Sequence, residues 1–443
     1  MSVTIAREPY GLAGRLRQPK SRLIELSAKK RMRVGIFTES YPPVVNGVTT
    51  SVMTLIEQLE RLGHSVYVFA PRFPGHYGDP PNVVRFPSVL TPFDRGYPLP
   101  VPISAQLIRS AARYNLDVIH SQSPFMLGLV AMMIARHENK PLVATNHTLY
   151  TEYSHYIPVV PEEITKGVTR QMVRWYYERC DAVIAPSKMA ARRLTEGYGI
   201  HKTIVKVVPT GIPMPGAISE HERRALRSRY GLPEGAILLL YAGRIAKEKN
   251  LDMLLESFEH EIAPRHPDAH LVLAGSGVDA EHIQERIDHS PIMGSRVCMT
   301  GVLNRADLDP LYAAADLFVF PSVTETQGVV LGEALAAGTP CCAVDAAGSP
   351  ETVTNGVDGL LTANDAVQFG AAINRLIADP ELRGRMSLAA RELAGERTPE
   401  QMVHKIVSVY RVAQKRVNMR QNNRLIPPTP VTIAKLRKSP LFR

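Results

Sequence analysis

The chain has one tryptophan and four cysteines among 443 residues, and it has no long apolar run. The cysteines (Cys180, Cys298, Cys341 and Cys342) show no C-x-x-C spacing, which argues against a zinc ribbon or a disulfide-stapled secreted fold. They read as reduced core residues, two of them adjacent in a strand-like segment. The longest apolar run, 125–135, falls well short of the roughly 20 residues that cross a bilayer. The N-terminal segment also lacks the apolar region of a secretory signal, so a cytosolic chain is expected.

Acidic residues are scarce at both ends. Residues 1–33 hold nine Lys/Arg against two Asp/Glu, and residues 415–443 hold eight against none. These ends carry +7 and +8, which leaves residues 34–414 at −5 of the chain's net +10. A basic body would have suggested a nucleic-acid groove, and no nucleic-acid partner is expected here. Basic ends on an acidic body fit arms that meet an anionic surface such as phospholipid headgroups, or serve only solubility. Residues 1–31 also fit an upstream start before Met32.

Short Val- and Ile-rich runs alternate with helical patterns over the whole body. MRVGIF, SVYVFAP, VVRFPS, LDVIHS, LVATNH, AVIAPS and IVKVVP read as buried parallel strands in the first half. ILLLYAG, AHLVLAG, RVCMTG, LFVFPS and CCAVDAAG do so in the second. The α/β pattern of a doubly wound domain therefore occurs twice, broken near the Pro/Gly cluster at 207–216. The expected organisation is a basic extension at 1–31, Rossmann-like domains at 32–210 and 211–397, a last helix at 398–414 and a basic, unstructured tail at 415–443. In open α/β sheets ligands gather at the carboxyl ends of the strands, so a cleft between the two domains is the place to look for chemistry.

Three strand-to-helix loops there carry charge or glycine. In PSVTETQGVVLGEALAAGTP, Glu325 lies just before a helix that opens at Gln327-Gly328, and Glu333 lies inside it. The unpaired N–H groups of such a helix start suit a phosphate or a sugar hydroxyl, although the two acids also fit a helix-end charge and a surface glutamate. GRIAKEKN places Arg244 and Lys249 after a strand of the same domain, where a guanidinium and an ammonium can neutralise a departing diphosphate. In the first domain, Asn46-Gly47 either opens a helix toward a phosphate or forms an ordinary turn. His147 and His120 both end strands and compete as the proton-handling histidine, and Tyr150, Tyr153, His155 and Tyr156 follow the former. GSGVDA at 275–280 matches a dinucleotide turn but lacks the acid about twenty residues on, so NAD is not expected. The D-x-D at Asp307 and Asp309 reads as helix capping rather than metal binding.

With GRIAKEKN, the E-x7-E stretch and GSPETV in this order, the chain resembles the family 4 retaining glycosyltransferases of GT-B fold over about residues 32–412. That resemblance implies two Rossmann-like domains facing across a cleft, with the last helix crossing back to the first. It further implies a nucleotide-diphosphate-sugar donor on the second domain, an acceptor on the first, and no obligatory metal or other cofactor. By it, Arg244 and Lys249 hold the diphosphate, Glu325 the hexose and Glu333 the ribose. Gly47, Val302, Thr326, Gln327, Gly328 and Val329 complete the donor site. His147 matches the family's active-site histidine and is preferred over His120 for that role. Gln122 stands where many relatives carry a second histidine.

TNHTLYTEYSHYI and TETQG are most similar to the bacterial diacylglycerol glucosyltransferases of that family. Independently, EITKGVTRQMVRWYYERC sets Lys166, Arg170 and Arg174 at four-residue spacing beside Val168, Met172, Trp175 and Tyr176. This pattern fits an interfacial helix, or a core-packed helix with a solvated basic face. His120, Tyr150, Tyr153 and this helix are the candidate acceptor and membrane contacts. The expected activity is transfer of glucose from UDP-glucose to a lipid such as diacylglycerol, by an enzyme peripheral on the inner face of the cell membrane. The alternatives are mannosyl transfer from GDP-mannose to phosphatidylinositol or another glycolipid, transfer to a soluble sugar, nucleotide-sugar epimerisation, and a non-catalytic sensor.

Overall fold

The structure is a computed structural model that describes residues 31–44, 46–76, 78–89, 98–101, 113–151 and 162–425. Residues 1–30 of the basic extension, residues 426–443 of the tail, and Tyr153, His155 and Tyr156 lie outside the described residues.

All twelve expected strand segments form strands. The first sheet contains β1 (Arg33–Phe37), β2 (Ser65–Pro71), β3 (Val83–Phe86), β4 (Val118–Ser121), β5 (Leu142–Thr145), β6 (Ala182–Ala185) and β7 (Ile204–Val207). Its order is β3-β2-β1-β4-β5-β6-β7, parallel throughout. The second sheet contains β8 (Ile237–Ala242), β9 (Ala269–Ala274), β10 (Val297–Gly301), β11 (Leu317–Phe320), β12 (Cys341–Val344) and β13 (Gly359–Thr362). It runs β10-β9-β8-β11-β12-β13, again parallel. In each sheet the order reverses beside the first strand, between β1 and β4 and between β8 and β11, which opens a crevice at the strand ends. Strands this apolar on both faces need helices on both sides, and the helices supply the cover.

Six helices matter below: α1 (Gly47–Arg61), α2 (Met126–His137), α3 (Glu162–Tyr177), α4 (Arg305–Ala314), α5 (Val329–Ala337) and α6 (Pro399–Leu425). One core of the first domain joins β1, β4 and β5 to α2 and α3, with Tyr176 and Tyr177 fully buried. The other core is completed by α6, whose Met402, Val403, Ile406, Val407, Tyr410 and Ala413 pack with Val34, Ile36, Val52 and Val143. The chain therefore leaves the first domain, builds the second, and returns. The last helix, expected to end at 414, continues to Leu425, and Arg416 and Arg420 explain part of that extension. Arg416 donates to the Asp181 carbonyl at 2.9 Å, and Arg420 pairs with the Asp181 carboxylate. The two connections between the domains touch where the Ile212 N–H donates to the Arg397 carbonyl at 2.9 Å.

All four cysteines are free thiols; Cys180, Cys341 and Cys342 are buried and Cys298 is half-buried. Among the described residues, no helix is long and apolar enough to cross a membrane.

Candidate functional site

The anion-catching side lies at the carboxyl end of the second sheet. After β8, Arg244 pairs with Glu248, four positions on in the loop, and the Tyr241 hydroxyl donates to the Arg244 carbonyl at 2.9 Å. Lys249 forms an ion pair with Glu325, whose Oε1 also accepts from the Ser322 hydroxyl at 2.9 Å. Burial would push the Glu325 carboxyl up, but the Lys249 charge and the hydrogen bonds outweigh it and hold the group below its ordinary range. The family resemblance gives Lys249 to phosphate and Glu325 to sugar as separate tasks. They are one unit, so whatever orients the carboxylate also orients the ammonium. The Arg244 side chain remains 44% exposed beside them.

GSGVDA is structural support for this loop. A Cβ on Gly277 would come within 2.0 Å of the Ile245 carbonyl oxygen, so only glycine lets the turn lie against the arginine loop. At the other edge α5 begins at Val329 with Gly328 as its cap in the left-handed region, φ 75°. Glycine adopts that conformation without steric cost and leaves the first N–H groups of the helix uncovered. Val329 packs against Ile212, Ala336 and Ala394, and Val302 is 62% exposed at the end of β10.

The side chains of Thr326 and Gln327 are engaged by the first domain and by the interdomain connection. The Thr326 hydroxyl donates to the His147 carbonyl at 3.0 Å. Gln327 clasps the interdomain connection, accepting from the Thr210 N–H at 2.8 Å and donating to the Thr210 carbonyl at 3.3 Å. Beside the donor-binding role expected of this loop, these side chains join the two domains, because each finds a main-chain partner there. Glu351 of GSPETV acts likewise, accepting from the N–H groups of Lys188 and Met189 at 2.6 and 2.5 Å.

On the first domain, Asn46-Gly47 is a helix start. Asn46 accepts from the Thr49 N–H at 2.8 Å, and Gly47 opens α1 with no atom within 4 Å of where a Cβ would stand. His147 is half-buried two residues past β5, with Nε2 bonded to Gln122 Oε1 at 2.8 Å. Burial lowers its pKa to about 4, so the ring is neutral at pH 7. The neighbouring amide nitrogen of Gln122 is buried and without a hydrogen-bond partner. His120 is corrected from an acceptor contact to a core residue. It has no exposed surface, and its ring nitrogens are bonded to the Tyr410 hydroxyl at 2.7 Å and the Thr145 hydroxyl at 2.8 Å.

Tyr150 is half-buried, packed edge-on against Phe125 at 5.1 Å between ring centroids. Burial and the charge of Glu39 push its phenol up. Sequence reasoning missed Glu39, which follows β1 and accepts from Ser123 and from the Leu127 N–H at the start of α2. It also missed Glu248 and Arg305, the partners of Arg244 and Glu333. Asp307 proves to be the third residue of α4, and Asn304 is the cap.

α3 presents Ile164 (57% exposed), Val168 (62%), Met172 (36%) and Trp175 (43%) along one line, with Arg170 and Arg174 exposed and Lys166 half-buried beside it. Tyr176, assigned to this stripe from the sequence, belongs to the core instead. One residue turns the helix by about 100°, enough to move it off the outer face.

Two parallel-sheet domains that meet at their strand ends, one offering paired cations and a bare helix start and the other a neutral histidine, define the GT-B architecture. The chain matches a Glycosyltransferase Family 4 domain over residues 45–214 and a Glycosyl transferases group 1 domain over residues 222–393. It belongs to the family of glycosyltransferases that these two domains build. It is 34% identical to the alpha-monoglucosyldiacylglycerol synthase of Streptococcus pneumoniae over 79% of this chain and 80% of that protein. It is 32% identical to a GDP-mannose-dependent alpha-mannosyltransferase of Mycolicibacterium smegmatis over 88% of this chain and the whole of that protein. The fold is similar to that of sucrose-phosphate synthase from Thermosynechococcus elongatus (TM-score 0.71, 22% identity, covering 86% of this chain and 98% of that one). It is also similar to Anabaena HepE in complex with UDP-glucose (TM-score 0.67, 19% identity, covering 86% and 99%).

Proposed function

We propose that the protein transfers a hexose, glucose from UDP-glucose, to the hydroxyl of a lipid such as diacylglycerol at an anionic membrane surface, with retention at the anomeric carbon. The carrying observation is the cluster of Arg244, Lys249 and Glu325 at the mouth of the second sheet, tied through Thr326 to the strand end that bears His147. The diphosphate sits against Arg244, Lys249 and the N–H groups that open α5, and Glu325 accepts from hexose hydroxyls. As the anomeric C–O bond breaks, these cations take up the growing phosphate charge, so no metal or other cofactor is required of this scheme. The sugar gains oxocarbenium character, and the acceptor oxygen attacks the face the phosphate leaves. Its proton passes to the departing phosphate oxygen. The interdomain contacts exclude water, which would otherwise hydrolyse the donor.

A lipid acceptor is supported by the exposed stripe of α3, where bases flank Val168, Met172 and Trp175. The similarity to a monoglucosyldiacylglycerol synthase supports the same acceptor class and glucose. Such an enzyme works from the cytoplasmic face as a peripheral protein. The similarity to GDP-mannose-dependent mannosyltransferases supports a second reading, mannosyl transfer to a glycolipid. The test is a panel of UDP-glucose, UDP-galactose and GDP-mannose against mixed membrane lipids, with products resolved by mass. Glucosylated diacylglycerol is expected. A mannosylated lipid would move the assignment to the second reading, and transfer to a soluble sugar alone would remove the lipid.

A further inference from the structure

Glu333 is 6% exposed and lies one and a half turns into α5, yet it is not left without a countercharge. Arg305 donates from Nη1 to Glu333 Oε1 at 2.6 Å, and the Tyr312 hydroxyl donates to Oε2 at 2.9 Å. The other arm of Arg305 pairs with Asp309 at 2.7 Å. Arg305, Asp309 and Tyr312 fall at i, i+4 and i+7 of α4, so one helix face holds the whole arrangement. From the helix Pro380–Ala394, packed on the same α5, Arg391 donates to the Ala337 carbonyl and not to Glu333. Tyr312 is buried, whereas the Arg305 side chain is 41% exposed, three residues past the exposed Val302 at the end of β10.

An ionised carboxylate offers about four acceptor positions, two on each oxygen. One on each is filled, which leaves a pair of acceptors on neighbouring oxygens. Two vicinal hydroxyls donate into such a pair. The carboxylate lies between α5 and α4, the helices that follow β11 and β10 of the second sheet, and Arg305 is the charged group that fixes its orientation.

We propose that Arg305 is a positioning residue for the donor nucleoside: it holds the Glu333 carboxylate turned to receive both ribose hydroxyls, and so makes the site prefer a ribonucleotide to its 2′-deoxy counterpart. This rests on the reading of Glu333 as the ribose contact. Arg305 also opposes the effect of burial, which pushes the Glu333 carboxyl up. Without the guanidinium a larger fraction of Glu333 is protonated as pH falls, and a protonated carboxyl surrenders an acceptor position.

The test is calorimetric titration of the full chain with UDP, GDP and their 2′-deoxy forms, using wild type, Arg305→Met, Arg305→Lys and Glu333→Gln, between pH 6 and pH 8. Wild type is expected to prefer the ribonucleotide of whichever base it accepts. Arg305→Met should bind that ribonucleotide about tenfold more weakly and its 2′-deoxy form almost unchanged, with the deficit growing toward pH 6. Arg305→Lys should recover part of the preference, which also separates lost charge from misfolding. In turnover assays the donor KM should rise more than kcat falls. If Arg305→Met keeps the wild-type preference and pH profile while Glu333→Gln loses the preference, the role given to Arg305 is wrong. If Glu333→Gln also keeps the preference, the ribose assignment of Glu333 fails, and the proposal with it.

Discussion

The Thr326 hydroxyl lies 3.0 Å from the main-chain oxygen of His147 and donates to it, so the loop that carries Glu325 is tied directly to the strand end that carries the histidine. Ser187 adds a bond from its hydroxyl to the Thr326 carbonyl at 2.5 Å. A few hydrogen bonds across the cleft therefore set the spacing between Glu325 and His147.

Thr326→Val keeps the shape of the side chain and removes its donor. A hydrogen bond of this kind favours the closed arrangement of the two domains by about 1 kcal/mol, so kcat/KM should fall up to about fivefold, while the melting temperature of so long a chain shifts little. Thr326→Ser should restore activity. Steady-state kinetics and thermal melts on the three proteins decide it; equal loss in the valine and serine variants would assign the effect to packing.

Lys249→Met leaves Glu325 buried without its cation. Turnover should drop about a hundredfold or more, as when a preorganised charge is removed from a transition state. The pH dependence has a definite sign. Because Lys249 holds the Glu325 pKa below its ordinary 4.5, the pair contributes stability that is present above that value and lost as pH falls through the folded-state pKa. In Lys249→Met burial prevails, the Glu325 pKa rises, and acid unfolding should begin at higher pH. An acid-unfolding midpoint equal to wild type would contradict the pairing. If Arg244→Ala/Lys249→Ala turned over normally, the anion-catching role would be lost.

Burial lowers the pKa of His147 to about 4 and that of His120 to about 3, from an ordinary 6.5. Between about pH 4 and 6.5 the unfolded chain binds protons that the folded chain refuses, so these groups make stability rise with pH over that window. His147→Asn should reduce the slope by up to about 1.4 kcal/mol per pH unit, the contribution of one proton. Urea unfolding at several pH values measures it. The rate profile of the wild-type enzyme should likewise show no acid limb near 6.5 from this histidine.

Much of the architecture was legible because buried parallel strands are short Val- and Ile-rich runs, and twelve of them stood out. β13 did not. Gly359–Thr362 has two leucines and no Val or Ile, and its strand character comes from pairing with β12. The loops of the site were legible for a topological reason, since in open α/β sheets ligands gather at the carboxyl ends of the strands. Partner choice was not. Nothing local tells that Lys249 pairs with Glu325, 76 positions on, or Arg305 with Glu333. Nor could strand-end position separate His120 from His147, which differ in whether a distant helix supplies Tyr410.

α3 yields a prediction for vesicle binding. Arg170→Gln/Arg174→Gln should weaken sedimentation with anionic vesicles, each charge contributing about 1 kcal/mol near the surface, and added salt should erase the difference. Val168→Asp should weaken binding at any salt concentration. Unchanged sedimentation of both variants would remove α3 as the docking face.

Tyr410 closes over His120 from a helix that begins 279 positions later in the chain, at Pro399. During synthesis, then, the half of the enzyme made first has α1 on that face of its sheet but lacks the rest of its cover until α6 has been made. The second half, whose main core cluster draws on residues 230–390, has no such wait. The domain begun first is the one whose core is completed last.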